Sequence, residues 1–133
     1  MRGAEAAFDA DRESQRQIVE AFIAALRGGD FSAMIELLDP DLVVRADTGP
    51  MNALKEVRGA EQWARGAIAY TQAVGFFQPA VVLVDGAVGL AYAPGGKLSR
   101  ALTFTIEDGK IRQIEVITEQ ARLKRLKLAI LTE

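Results

Sequence analysis

The sequence contains no cysteine and no histidine. Without thiols there is no disulfide staple, no Cys-based zinc site and no cysteine nucleophile. Without imidazole there is no Ser-His-Asp triad and no histidine-ligated metal. An excess of charge of one sign is missing as well. The 16 Lys+Arg stand against 18 Asp+Glu, a net charge of -2, which is no electrostatic footprint for duplex DNA or an anionic membrane. No apolar run reaches the roughly 18 residues of a membrane span, and the opening Met1-Arg2-Gly3-Ala4-Glu5 lacks the apolar core of a signal peptide. Gly95-Gly96 is followed by no Lys-Ser/Thr at phosphate-loop spacing and sits in no dinucleotide motif. The expectation is a cytoplasmic protein with no cofactor and no metal, in direct contact with neither nucleic acid nor membrane.

What is present suits one globular domain. The chain has 133 residues, half of them hydrophobic (50%), enough for a real core. Residues 1–8 read as a flexible lead-in or linker, because Gly3 and the small alanines offer little to anchor, and residues 9–133 read as the folded domain.

Within that domain, Asp9, Asp11 and Glu13 place negative charge at a helix start, and Ile18, Val19, Phe22, Ile23 and Leu26 recur at helical spacing. Gly28-Gly29 ends this helix. Asp30 caps a second, carrying Phe31, Met34, Ile35, Leu37 and Leu38, which Asp39-Pro40 stops. Leu42 to Asp47 suits a strand, Thr48 to Asn52 a loop, Glu56 to Arg58 a short extended stretch, and Ala60 to about Ala73 a third helix.

The second half reads as strands at Pro79 to Val84, Ala87 to Tyr92, Leu98 to Glu107 and Ile111 to Thr118. They are separated by Asp85-Gly86, Pro94-Gly95-Gly96 and Asp108-Gly109, so the prediction is an antiparallel meander of hairpins. Thr118 is placed to cap a short last helix from Glu119 to about Lys127, with Leu123 and Leu126 inward and Arg122, Lys124, Arg125 and Lys127 outward. Leu128-Ala129-Ile130-Leu131 is unexpectedly apolar for a tail. Helices in the first half and strands in the second predict an α+β fold: a curved antiparallel sheet with helices packed on one face, leaving a pocket.

This order of elements resembles the cone-shaped fold of the nuclear transport factor 2-like (NTF2-like) and SnoaL-like, or polyketide-cyclase-like, superfamily. Three runs carry a closer resemblance: Phe8 to Arg16, Ala21 to Phe31, and Leu37-Leu38-Asp39-Pro40-Asp41-Leu42-Val43-Val44-Arg45-Ala46-Asp47. With Val57-Arg58-Gly59-Ala60-Glu61 and Arg122 to Leu126, they are similar to the carboxyl-terminal domain of extracytoplasmic-function sigma factors of the SigJ-like kind. The resemblance implies a regulatory accessory domain that tunes transcription initiation by contacting RNA polymerase core or upstream sigma-factor domains in cis. It implies partner contacts at Thr48, Gly49, Pro50, Arg122, Leu123 and Arg125, with a homodimer through the outer sheet as a further expectation.

The same superfamily offers an alternative, a small-molecule-binding protein or an isomerase- or cyclase-like enzyme working in the cone. Asp47, at the end of the first long strand, would be its general base, because steroid-isomerase-like relatives place a carboxylate there. A carboxyl in an apolar pocket has its charged form disfavoured, which suits proton abstraction. The helpers that stabilise an oxyanion in those relatives are absent: Phe22 stands where they carry a tyrosine, and Leu102-Thr103 where they carry a second acid. A plainer role for Asp47 is to cap its own loop through Thr48-Gly49. A hydrolase-like set would join Asp47 to Arg45, Arg58 or Arg100, although Arg45 and Asp47 share a strand face and equally suit an ion pair. Phe22, Trp63, Tyr70, Tyr92 and Phe104, with Phe76 and Phe77, would line a pocket for a small apolar ligand or form plain core.

Overall fold

The computed structural model describes residues 2–47, 55–74 and 78–130. The chain runs α1 (Arg2–Gly28), α2 (Phe31–Leu37), β1 (Leu38–Ala46), β2 (Lys55–Arg58), α3 (Ala60–Val74), β3 (Ala80–Val84), β4 (Ala87–Tyr92), β5 (Arg100–Glu107), β6 (Lys110–Ile117), α4 (Gln120–Arg125) and β7 (Leu128–Ile130). The seven strands form one curved, unclosed sheet in the order β2-β1-β6-β5-β4-β3-β7. The predicted α+β architecture is present.

Local chemistry accounts for the breaks between elements. Gly29 has φ +66, and its amide donates to the Leu26 carbonyl while the Asp30 amide reaches back to Ala25. This paired closure of a helix C-terminus needs a left-handed residue, which glycine supplies without strain. Asp30 then caps α2, its Oδ1 accepting from the Ala33 amide at 3.0 Å. One residue after α1 ends, α2 is therefore already capped, and the two pack as the predicted hairpin. In the meander, Asp85 and Asp108 also have positive φ (51 and 54), each followed by a positive-φ glycine, as two-residue hairpin turns with the right-handed strand twist require.

Several features differ from the sequence reading. The helical backbone of α1 begins at Arg2, not near Asp9; the run Ala4-Glu5-Ala6-Ala7 consists of strong helix formers. The sheet is not wholly antiparallel: β1 pairs β6 in parallel, Val44 opposite Ile114, with an irregularity between Leu38 and Val43. The connection from β1 to the meander contains all of α3, long enough to return a strand in either direction. Leu128–Ile130 of the apolar tail form a strand, β7, antiparallel to β3.

The core forms on one face of the sheet. Val19, Phe22 and Met34 from α1 and α2 meet Leu42 of β1, Leu90 of β4 and Ile114 of β6, all buried. Helices α1, α2 and α3 cover that face, as expected. The short α4 does not join them. Ala101 and Ile117 alternate with Leu102 and Val116 along β5 and β6 and so point to the opposite face, where Leu123 of α4 is buried against them with Leu98 and Leu126 at the edge.

At Gly89 the backbone of a neighbouring strand approaches closely. A Cβ at Gly89, buried in β4, would lie 2.6 Å from the Leu102 carbonyl oxygen and 3.0 Å from Val84 Cγ2. Gly89→Ala is expected to cost about 1–3 kcal/mol, read as a lower urea midpoint at unchanged slope; an unchanged midpoint would mean that β4 and β5 separate freely there.

Candidate functional site

A cavity of about 150 Å³ lies between the helices and the sheet. Phe22, Ile23 and Leu26 of α1, Trp63, Ala67, Tyr70 and Thr71 of α3, Pro79, and Leu90, Arg100, Leu102 and Val116 of the sheet line it. Its volume matches a space that takes a single aromatic ring. Phe22 is fully buried, its ring stacked near Trp63 (centroids 5.9 Å apart, planes 17° apart) and meeting Phe104 edge-on at 5.3 Å. Tyr70 is 56% exposed and stands at the rim. The buried Thr71 hydroxyl donates to the Ala67 carbonyl at 2.9 Å, leaving its lone pairs for an incoming donor. Among the described residues the lining holds no carboxylate. Such a space suits an apolar group that meets a few polar atoms, with no acid-base pair among the described lining residues.

Of the aromatics expected to form a pocket, Phe22, Trp63 and Tyr70 line the cavity directly. Phe104 supports it from behind Phe22, and Tyr92, half-buried in β4 opposite Arg100, is not among the lining residues. Phe76 and Phe77 lie outside the described residues, as do Thr48, Gly49 and Pro50. Leu90, Thr71 and Pro79 carry no signal of their own in the sequence; an apolar strand residue such as Leu90 looks the same whether it faces a cavity or a filled core.

Asp47 lies elsewhere. Its side chain is only 8% exposed, and it sits where β1 ends beside the exit of β6. Oδ1 accepts from the Thr118 amide at 2.7 Å and the Thr118 hydroxyl at 3.0 Å; Oδ2 accepts from the Glu119 amide at 3.4 Å and Arg122 Nη1 at 3.2 Å. Arg122 Nη2 continues to Glu115 at 2.7 Å. Burial pushes the Asp47 pKa up, but the Thr118, Glu119 and Arg122 donors together outweigh it and hold the carboxyl below the ordinary aspartate value. A general base works best with a pKa near the working pH, and this carboxylate is shifted away from it.

The loop-capping role expected for Asp47 through Thr48-Gly49 lies outside the described residues; among those described, the carboxylate holds the turn into α4, 71 residues on. The pairing of Asp47 with Arg45 does not form. Arg45 and Arg58 both converge on Glu56, at 3.1 and 2.7 Å, so the hydrolase-like Asp-Arg set is not assembled from them. Thr118 spends its hydroxyl on Asp47; the N-cap position of α4 is Glu119, whose side chain makes no capping hydrogen bond. Of the α4 residues proposed as partner contacts, Arg122 is half-buried in the Asp47 cluster, Leu123 is buried beneath the helix, and Arg125 is exposed. Nothing in the sequence joins Asp47 to Arg122, since only the sheet order brings them together.

No family model matches the chain, and no curated protein matches it. Solved structures do. The extracytoplasmic function sigma factor SigJ of Mycobacterium tuberculosis is similar at 23% identity and a TM-score of 0.69, over 90% of this chain and 47% of that one. The chain thus spans about half the length of that sigma factor. A putative polyketide cyclase from Sinorhizobium meliloti is similar at 28% identity and a TM-score of 0.57, over 75% of this chain and 93% of that one. An NTF2-like protein of unknown function from Cytophaga hutchinsonii is similar at 21% identity and a TM-score of 0.56, over 83% and 94%. The curved, helix-backed sheet, its apolar cavity and these likenesses together give the chain the NTF2-like fold.

Proposed function

We propose that this chain is a regulatory accessory domain of an extracytoplasmic-function sigma factor, acting in the cytoplasm by contact with RNA polymerase core or with promoter-binding sigma domains. The observation that carries this reading is the likeness to the sigma factor, which spans 90% of this chain but only 47% of that protein: a domain-sized unit inside a longer one. The state of Asp47 supports it, since the one carboxylate placed for catalysis by resemblance is engaged by four donors outside the cavity. The near-neutral charge fits a domain that leaves DNA to its neighbours.

The contact surface we assign is the exposed basic side of α4, with Lys124 and Arg125. Immobilised chain should bind either RNA polymerase core or the promoter-binding part of such a sigma factor with a Kd of about 1–10 µM, the range of a modest polar interface. Lys124→Glu with Arg125→Glu should weaken it about tenfold. Absence of saturable binding to both partners overturns the reading. Turnover of a ketone or epoxide that vanishes in a folded Asp47→Asn chain would replace it with the cyclase- or isomerase-like alternative.

A further inference from the structure

The strand β3 reads Ala80-Val81-Val82-Leu83-Val84: five residues with no charge, no proline and no glycine. One side pairs along its whole length with β4, from Ala80 opposite Ala91 to Val84 opposite Ala87. On the other side, among the described residues, Ile130, Ala129 and Leu128 of β7 pair with Val82, Leu83 and Val84. An apolar strand edge with no charge and no proline lacks the devices that keep such an edge from pairing with another chain, unless something covers it.

The block is the end of a strap. The chain leaves β6 at Ile117, crosses the outer face as α4 and returns to the sheet as β7. Its two ends are held differently. At the start stands the Asp47-Arg122-Glu115 cluster, with Leu123 buried on Ala101 and Ile117. At the finish, the Lys127 amide donates to Asp85 Oδ1 and the Asp85 amide to the Lys127 carbonyl, both at 2.8 Å, ahead of a three-residue ladder whose Leu128 is 42% exposed. The finish rests on backbone pairing, the Asp85 turn and partly exposed side chains, whereas the start has a buried leucine and charged partners.

We propose that the outer edge of β3 is a self-association surface held closed by β7, and that when β7 leaves, the β3 edge of a second copy takes its place. An antiparallel pair centred on Val82 sets five apolar residues against five and opposes no like charges. It also takes in Ala80 and Val81, which have no β7 partner among the described residues. The surface is self-complementary about a two-fold axis, so the assembly closes as a dimer. This inference stands independently of the sigma-factor reading.

The test compares the full chain with one ending at Arg125 by light scattering after size exclusion, with circular dichroism on each. The truncated chain should show twice the mass of the monomer at micromolar to millimolar concentration. Val82→Lys in the truncated chain, which sets two lysines face to face on the axis, should return it to monomer mass. The same substitution in the full chain should leave its mass unchanged. A folded truncated chain that stays monomeric, or an assembly indifferent to Val82→Lys, overturns the proposal. Should truncation abolish the native spectrum, Asp85→Ala with Ala129→Pro frees β7 without removing it. That folded variant must then gain mass, and its failure to do so overturns the proposal equally.

Discussion

Replacing Phe22 with alanine is expected to remove about 3–5 kcal/mol of stability, a large part of the roughly 5–15 kcal/mol that holds a domain of this kind folded. The residue is 1% exposed and touches three elements at once: it belongs to α1, stacks near Trp63 of α3 and meets Phe104 of β5 edge-on. The void left by the ring would adjoin the existing cavity of about 150 Å³. Its walls are two helices and a sheet, which cannot collapse together without breaking other contacts, so the cost should fall in the upper part of the range. Urea denaturation measures it. Phe22→Leu, which keeps most of the volume, should lose far less. A loss below about 1 kcal/mol for Phe22→Ala would show that α1 repacks and that the cavity is not a rigid feature. The enlarged space should also admit an aromatic ring, seen as a rise in melting temperature of the variant with benzene or indole that exceeds that of the parent chain.

Asp47→Ala is expected to cost about 3 kcal/mol, because the Thr118 amide and the half-buried Arg122 lose a charged acceptor that water cannot fully replace. The coupling with Arg122 is testable by a double-mutant cycle. Asp47→Ala and Arg122→Ala together should cost less than the sum of the two single changes, since each alone leaves the other residue without this charge partner. The pH dependence follows from the direction of the shift. The folded chain holds the Asp47 carboxyl below its ordinary value, so the native state binds this proton less readily than the unfolded chain. The stabilisation is fully present above the unfolded pKa, near 4, and is lost as pH falls through the lower folded value. In acid titrations the parent should therefore lose stability more steeply than Asp47→Asn. Equal slopes for the two chains would remove Asp47 from the account of how α4 is held.

Much of this fold is readable because the deciding interactions are local. Gly28-Gly29-Asp30 ends one helix and caps the next within three residues, and Asp85-Gly86 and Asp108-Gly109 supply the positive φ angles that their hairpin turns require. The absence of cysteine and histidine is legible outright and bounds the chemistry that the cavity can hold. The aromatic lining is legible in part: Phe22, Trp63 and Tyr70 were candidates, but a one-dimensional pattern does not distinguish Trp63, which lines the cavity, from Phe104, which packs behind Phe22.

Other features depend on which strands become neighbours. The parallel pairing of β1 with β6 puts Asp47 beside Thr118 and turns a candidate base into the clamp of α4. The same pairing brings Asp47 and Arg122 together across 75 residues, while Arg45, two residues from Asp47 in the chain, goes to Glu56. The tail Leu128-Ala129-Ile130 has no strand signal of its own length, and becomes β7 only because the β3 edge offers it unpaired backbone groups. The hairpin turns, the Asp30 cap and the excluded chemistry depend on neighbours in sequence, so the amino-acid sequence alone settles them. Sheet order, the clamp and the covered edge depend on distant segments whose contact gains free energy only once the chain has closed, so only the tertiary structure decides them.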